Sequence, residues 1–278
     1  MQNNTFPVFS VLMSVYKKEN PSFLDKALQS IENQTVKPYE IIVVEDGPLP
    51  SYLENILVDH QNKNSGVFKI IRKKRNGGLG ESLQLGIKYV NTNWIARMDS
   101  DDIAVPNRFE IQLSMINESP NLAVVGGQVD EFLNDPTNIV GKREVPLDNK
   151  SIINFAKWRS PFNHPSVMIR KDAVLDVGGY GKQGKLEDYF LWVKLLSQNY
   201  DVANVPHVLV HMRTDTGMYD RRGDTANLKY IVKLHKFMYQ NNIVNVFEAT
   251  LGTLMMFTNI IIPSRVRKTI YQHVLRKR

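Results

Sequence analysis

The stretch "EIIVVEDG", residues 40–47, is an unbroken apolar run that closes in two acids and a glycine. A strand with one face in water alternates apolar and polar side chains. A run without that alternation belongs to a strand covered on both faces, as in a parallel sheet wrapped by helices. Such sheets open a crevice at the C-terminal ends of their strands, which puts Asp46 at its lip. The flanking sequence agrees. "VFSVLMSVY" reads as a first strand, and Asn20 with Pro21 as the N-cap and first residue of a helix. Its apolar positions Leu24, Ala27, Leu28 and Ile31 share one face, and it should end near Gln34. A second helix is expected over 50–62 and a third strand at "VFKIIRK". In "RNGGLGESLQLGIKYV", Gly77, Gly78 and Gly80 precede a helix with Leu79, Leu83, Ile87 and Val90 at helical spacing. Those glycines match neither a Walker loop nor a dinucleotide fingerprint, so phosphate binding and a simple turn with a cap both stay open.

The fourth strand, "NWIARMD", runs straight into Asp99, Asp101 and Asp102. Three acids so close repel one another unless water, cations or a metal compensates. An EF-hand fails, because Ile103 stands at a ligand position and Ala104 at the required glycine. A glycosidase pair needs carboxylates facing each other across a sugar, which adjacent acids on one loop do not supply. A solvated acidic turn remains, as does a divalent metal held by one or two carboxylates together with substrate phosphates.

Downstream, "VPNRFEIQLSMINESP" reads as a helix, "LAVVGGQVDEF" as a strand and bend, and "HPSVMIRKDAVLDVGGYG" as strand, helix and glycine turn. "KLEDYFLWVKLLSQNY" places Glu187 and Asp188 in the first turn of an amphipathic helix, with Leu191, Trp192, Leu195 and Leu196 inward. The helix dipole alone favours acids there, so position leaves a structural and a catalytic role open.

Charge and composition narrow the classes. At 278 residues, 42% hydrophobic, the chain can bury a substantial core, and with no cysteine it has no disulfide, thiolate zinc site or cysteine nucleophile. Of its 35 Lys and Arg, six lie in residues 263–278, which carry no acid, leaving 29 against 28 acids elsewhere. A nearly neutral body argues against a nucleic-acid surface. The N-terminal sequence shows no secretory leader, so a cytoplasmic location is the expectation. "FEATLGTLMMFTNIII" is too short and too polar to span a bilayer. After Pro263, Val266, Ile270 and Val274 share a helical face among basic residues, which suits either an interfacial helix on anionic lipid or a helix packed on the body.

Taken in order, "SVLMSVYKKE", "IIVVEDGP", "RNGGLGESLQLGI", "ARMDSDDIAVPNRFE", "NHPSVMIRK", "VGGYG" and "LEDYFLWVKL" resemble the inverting family-two glycosyltransferases over roughly residues 8–222. The resemblance implies a GT-A fold: a Rossmann-like, mostly parallel α/β sheet flanked by helices, with a helical C-terminal tail. It implies a glycosyltransferase domain over 1–222, divided into a nucleotide-sugar half (about 1–105) and an acceptor half (106–222), and a helical, basic tail over 223–278. A UDP-sugar donor and Mn²⁺ or Mg²⁺ follow from the same likeness. Carried over by position, Asp46 resembles the nucleobase contact, with Ser14, Tyr16 and Asn76 beside it. Asp99 and Asp101 form the D-x-D, with Asp101 as metal ligand and Asp99 near ribose and metal. Asp102 is then a supporting or helix-capping residue, Asp188 the general base, and Glu187 its partner in orienting base or acceptor. His164 becomes an acceptor-side candidate or a structural histidine.

Two motifs depart from the family. An A-R-N triplet after the third strand is replaced by Ser82, Leu83 and Gln84, and a late arginine–histidine pair by Arg213, Thr214 and Asp215. Arg213, Arg221 or Arg222 is thus a candidate for the diphosphate, or merely a surface salt-bridge partner. The family's bacterial members build O-antigen and capsule, which points to glucose or galactose transferred to a GlcNAc-diphosphate-undecaprenol acceptor through a β-1,3 bond at the inner face of the cell membrane. A sugar-1-phosphate nucleotidyltransferase and a non-catalytic binding module are the alternatives. The first needs a glycine-rich basic loop that "SVYKKENPSF" lacks.

Overall fold

The computed structural model describes residues 5–214 and 225–262. β1 (Phe9–Val15), β2 (Glu40–Glu45), β3 (Phe68–Arg72) and β4 (Trp94–Met98) pair in parallel, in the order β3-β2-β1-β4. Between them run α1 (Pro21–Glu32), α2 (Ser51–Lys63) and α3 (Leu79–Ile87). Asn20 caps α1 by accepting from the Ser22 N–H at 2.9 Å. Along β1 the period of two sends Phe9, Val11, Met13 and Val15 into a core with α1, α2 and α4 (Arg108–Glu118). Leu12, with Ile42 and Val44 of β2, enters a second core on the opposite face. A strand apolar on both faces therefore has a helix layer over each.

The second half of the chain extends the same sheet with antiparallel pairing. β8 (Met168–Arg170) lies antiparallel to β4 and to β6 (Leu122–Phe132), and β7 (Ile139–Arg143) is antiparallel to β6. β9 (Asp201–Arg213) runs parallel to β6, with register shifts at Leu122/Val124, Gly127/Gln128 and Gln128/Val129, and the short β5 (Ile103–Ala104) closes the edge on β9. The bend expected in "LAVVGGQVDEF" is this bulged but continuous strand. The residue 105/106 division falls inside a single sheet, because β4 and β5 pair with later strands.

α5 (Asn149–Ala156), α6 (Lys171–Asp176) and α7 (Glu187–Ser197) cover the second face, with Trp192 and Leu191 fully buried. The far side of α7, at Tyr189, Phe190 and Val193, packs against a hairpin of α8 (Leu228–Gln240) and α9 (Val246–Ile261). That hairpin accounts for the described part of the helical tail. Residues 263–278, with the amphipathic stretch read from the sequence, lie outside the described residues, as do Asp215, Arg221 and Arg222.

Candidate active site

Parallel pairing fixes which residues share an edge. In register, Val15 of β1 sits beside Glu45 of β2, and Met13 beside Met98 of β4. The chain leaving the three strands therefore delivers Tyr16, Asp46 and Asp99 to one side of the sheet. Ser14 is half-buried there and Tyr16 is 44% exposed.

Asp46 is buried and heavily bonded. Oδ1 accepts from Lys73 Nζ at 2.7 Å and from the Gly77 N–H at 2.8 Å, and Oδ2 accepts from the Gly78 N–H at 2.9 Å. Asn76 Nδ2 donates to the Asp46 carbonyl at 3.1 Å. Burial raises the carboxyl's pKa, but these donors outweigh it and hold it below its ordinary value. The loop after β3 is thus folded down over Asp46. Gly47, at φ +86°, makes the approach possible, since a Cβ there would stand 2.6 Å from the Asn76 nitrogen.

At the end of β4, Asp99, Asp101 and Asp102 each bring a carboxylate oxygen into a group within 4.8 Å of one another. Asp102 is buried. Its Oδ1 accepts from the Arg213 N–H at 2.8 Å, while Oδ2 has no partner. It therefore ties the D-x-D turn to the end of β9, and the N-cap position of α4 belongs to Asn107. Burial, then the charges of Asp99 and Glu19, push Asp101 up to about 7. Burial and the charges of Asp101 and Asp99 raise Asp102 as well. An oxygen-only cluster with an orphaned buried carboxylate oxygen fits a hard divalent cation such as Mg²⁺ or Mn²⁺.

Glu187 and Asp188 open α7. Glu187 is 9% exposed, its Oε2 has no partner, and burial followed by the charge of Asp188 pushes its pKa up to about 7. Burial also raises Asp188, against the Tyr189 backbone N–H and the charge of Arg97. The charge of Asp99 is felt by both acids, so the D-x-D and the α7 acids share one electrostatic site. The first turn of α3 packs directly on Glu187: a Cβ at Gly80 would lie 3.1 Å from Glu187 Cβ. Gln84 Oε1, from the same helix, accepts from the Tyr180 N–H at 2.7 Å. Two of the positions that depart from the family's A-R-N triplet thus have local uses, since Ser82 Oγ accepts from Lys73 at 3.0 Å.

His164 and Tyr180 lie beneath this site. His164 Nε2 and Tyr180 Oη are 2.8 Å apart, and the imidazole packs edge-on to Trp192. Burial, reinforced by the charge of Arg97, holds the His164 pKa well below the ordinary histidine value, so the ring is neutral. Arg213 has its guanidinium carbon 3.6 Å from the Phe23 ring centroid and 4.5 Å from that of Phe132, and Nε donates to the Asp101 carbonyl at 3.2 Å.

The residue that sequence reasoning missed is Arg97. Its side chain is 3% exposed and Nη2 is ion-paired with Asp99, while Nε and Nη1 have no partner. Burial works against the charge, but Asp99 outweighs it and raises the pKa. Asp101, Asp102, Glu187 and Asp188 all feel this cation. The signal was present in "WIARMD": a strand buried on both faces does not carry an arginine unless a counter-charge waits for it. Arg108, also fully buried, braces the turn from behind by donating to the Arg97 carbonyl at 2.8 Å.

The model for "Glycosyl transferase family 2" matches residues 10–178, from β1 through α6. The chain belongs to glycosyltransferase family 2. As a family 2 glycosyltransferase it is a transferase of GT-A fold. It is 38% identical over 269 residues to an uncharacterized glycosyltransferase of Haemophilus influenzae, covering 97% of this chain and 99% of that one. It is 35% identical over 271 residues, 98% of both chains, to the UDP-Gal:alpha-D-GlcNAc-diphosphoundecaprenol beta-1,3-galactosyltransferase of Escherichia coli. Among solved structures, the mannosyltransferase PcManGT of Pyrobaculum calidifontis, in complex with GDP-Man and Mn²⁺, superposes with a TM-score of 0.68 at 11% identity, over 97% of this chain and 76% of that one. This family 2 chain carries Glu187 and Asp188 nine and ten residues beyond the matched segment.

Proposed function

We propose that this enzyme transfers a hexose, galactose or glucose, from a UDP-sugar to a GlcNAc-diphosphate-undecaprenol acceptor with inversion, forming a β-1,3 bond in the synthesis of bacterial surface polysaccharide. The observation that carries the donor and acceptor is the 35% identity, over 98% of both chains, to the E. coli β-1,3-galactosyltransferase. The chemistry is supported by the shared field of the D-x-D and α7 acids.

Asp188 takes the acceptor hydroxyl proton as that oxygen attacks the anomeric carbon, from the face opposite the departing nucleoside diphosphate. A raised pKa suits a base that must be ionised near neutrality yet basic enough to accept a proton. Glu187 orients that hydroxyl. Asp101, with Asp99, would hold Mn²⁺ or Mg²⁺, which when bound supplies Lewis-acid neutralisation of the diphosphate. Asp46, whose Oδ2 accepts from the Gly78 N–H, keeps acceptor capacity for a nucleobase N–H, and Ser14, Tyr16 and Asn76 flank that position. His164 serves the acceptor side as a neutral hydrogen-bonding group. Arg213, its faces between two aromatic rings, is better suited to holding the D-x-D turn than to leaving it for a diphosphate.

The acceptor places the work at a membrane surface, with the basic segment 263–278 attracted to anionic lipid at the cytoplasmic face. Among the described residues no helix is long and apolar enough to cross a membrane. The test is a screen of UDP-sugars with Mn²⁺ and a short-chain GlcNAc-diphosphate-lipid acceptor, read by product mass and linkage analysis. A β-1,3-hexosyl product is expected; no product with any sugar contradicts the acceptor assignment.

A further inference from the structure

α9 exposes Val246, Phe247, Thr250, Leu254, Met255 and Thr258. At 100° per residue these six fall within one half of the helix circumference, and none is charged. Phe247 is 73% exposed and Leu254 58%, values unusual for side chains of their size. Both threonines hide their polarity: Thr250 Oγ1 donates to the Val246 carbonyl and Thr258 Oγ1 to the Met255 carbonyl, each at 2.8 Å. A hydroxyl bonded back to its own helix loses nothing in an apolar medium. The one acid of α9, Glu248, lies at the edge of this face beside Met255, where it is paired with Lys157 at 2.8 Å and accepts from the Asn245 N–H at 2.9 Å.

The neighbouring helix supplies the charge. α8 exposes Lys229, Lys233 and Lys236 and contains no acid. The chain leaving α9 then adds six Lys and Arg within residues 263–278. An uncharged face whose one adjoining acid is paired with Lys157, next to a helix whose exposed charges are all cations, suits a partner that is hydrocarbon at depth and anionic at its surface. A second copy of this chain fits less well, because a two-fold contact through the face would bring lysine rows toward lysine rows.

We propose that the outer face of α9 inserts into the headgroup boundary of an anionic bilayer, with the α8 lysines over the lipid phosphates. The inner side of the same hairpin packs on α7, the helix that opens with Glu187 and Asp188, so the anchored face lies one helix layer from the acids. Only the purpose of this arrangement, delivery of a lipid-linked acceptor, rests on the proposed function; the face itself does not.

The test is co-sedimentation of the full chain with phosphatidylglycerol-rich vesicles and with phosphatidylcholine vesicles. Phe247→Ser combined with Leu254→Ser should weaken partition to the anionic vesicles about a hundredfold, given what burying two such side chains contributes, with transfer to a water-soluble acceptor unchanged. Equal partition of variant and wild type overturns the proposal. So does a wild-type dimer in sedimentation equilibrium that the double substitution dissociates. Since the chain has no cysteine, Phe247→Cys gives a unique attachment point for an environment-sensitive fluorophore. A blue shift on anionic vesicles supports insertion, and an unshifted spectrum overturns it. Neither readout depends on which sugar is transferred.

Discussion

Arg97 Nη2 is ion-paired with Asp99, while Nε and Nη1 of the same buried guanidinium have no partner. A buried cation left partly unsatisfied is costly by itself, and it persists here because five carboxylates surround it. It acts as the fixed counter-charge of the site, holding together an acid cluster that would otherwise repel itself apart when no metal is bound.

Arg97→Met should therefore destabilise the metal-free protein by about 3 kcal/mol or more at pH 8, as expected for breaking a buried ion pair. The loss should be smaller at pH 6, where Asp101 and Glu187, both near 7, take up protons and relieve the repulsion. Thermal unfolding at the two pH values, with and without Mn²⁺, checks this. A pH-independent loss would argue that Arg97 acts through packing alone.

Burial, then the charge of Asp188, pushes Glu187 up to about 7. A carboxyl whose folded pKa is raised above its unfolded value binds extra protons in the folded state between the two values, so its contribution falls as pH rises through that window. Glu187→Gln should make the protein more stable than wild type at pH 8 by on the order of 3 kcal/mol, with the difference vanishing toward pH 4. In the rate profile, an acid limb set by Glu187 should be absent in this variant. A limb that persists would assign it to another group.

Gly80→Ala would place a methyl 3.1 Å from Glu187 Cβ and 3.3 Å from the Gly181 carbonyl. A helical alanine is favoured over glycine by up to about 1 kcal/mol, which offsets much of the crowding. The expected outcome is a melting temperature close to wild type and a kcat lowered about tenfold, because misplacing a reacting group by part of an ångström has effects of that order. A large fall in melting temperature with kcat intact would contradict it.

Asp101→Ala should abolish Mn²⁺-dependent donor binding, read by calorimetry. Asp102→Ala should leave donor binding within about tenfold while lowering stability by about 1–3 kcal/mol, since the Arg213 N–H loses its acceptor. Equal loss of binding in both would make Asp102 a ligand.

Much of the first half was legible because each signal was local. An unbroken apolar run gave β2, an apolar segment ending in acids gave β4, and the Asn20 cap and Pro21 gave the start of α1. The acids at strand ends and at Glu187–Asp188 were found for the same reason. β9 was harder: Asp201–Arg213 contains Pro206 and His207, mixes exposed and buried positions, and takes its place through bulged pairing with a strand more than seventy residues away. Arg97 was missed because its role joins the neighbouring D-x-D acids to Glu187 and Asp188, about ninety residues away in sequence. For Arg213 the sequence offered a diphosphate contact or a surface salt bridge, and only the arrangement of Phe23, Phe132 and the Asp101 carbonyl reveals its setting. The engagement of Asp46 by Lys73, Gly77 and Gly78 was likewise invisible, since loop closure leaves no periodic trace.

The most direct measurement of the central claim pairs transfer with donor binding in Asp188→Asn, an exchange that keeps the side chain's shape and removes its basicity. Hexosyl transfer should fall by about a thousandfold or more, within the range that general-base catalysis supplies, while Mn²⁺-dependent UDP-sugar affinity stays within about twofold of wild type. Transfer retained at near wild-type rate would contradict Asp188 as the base.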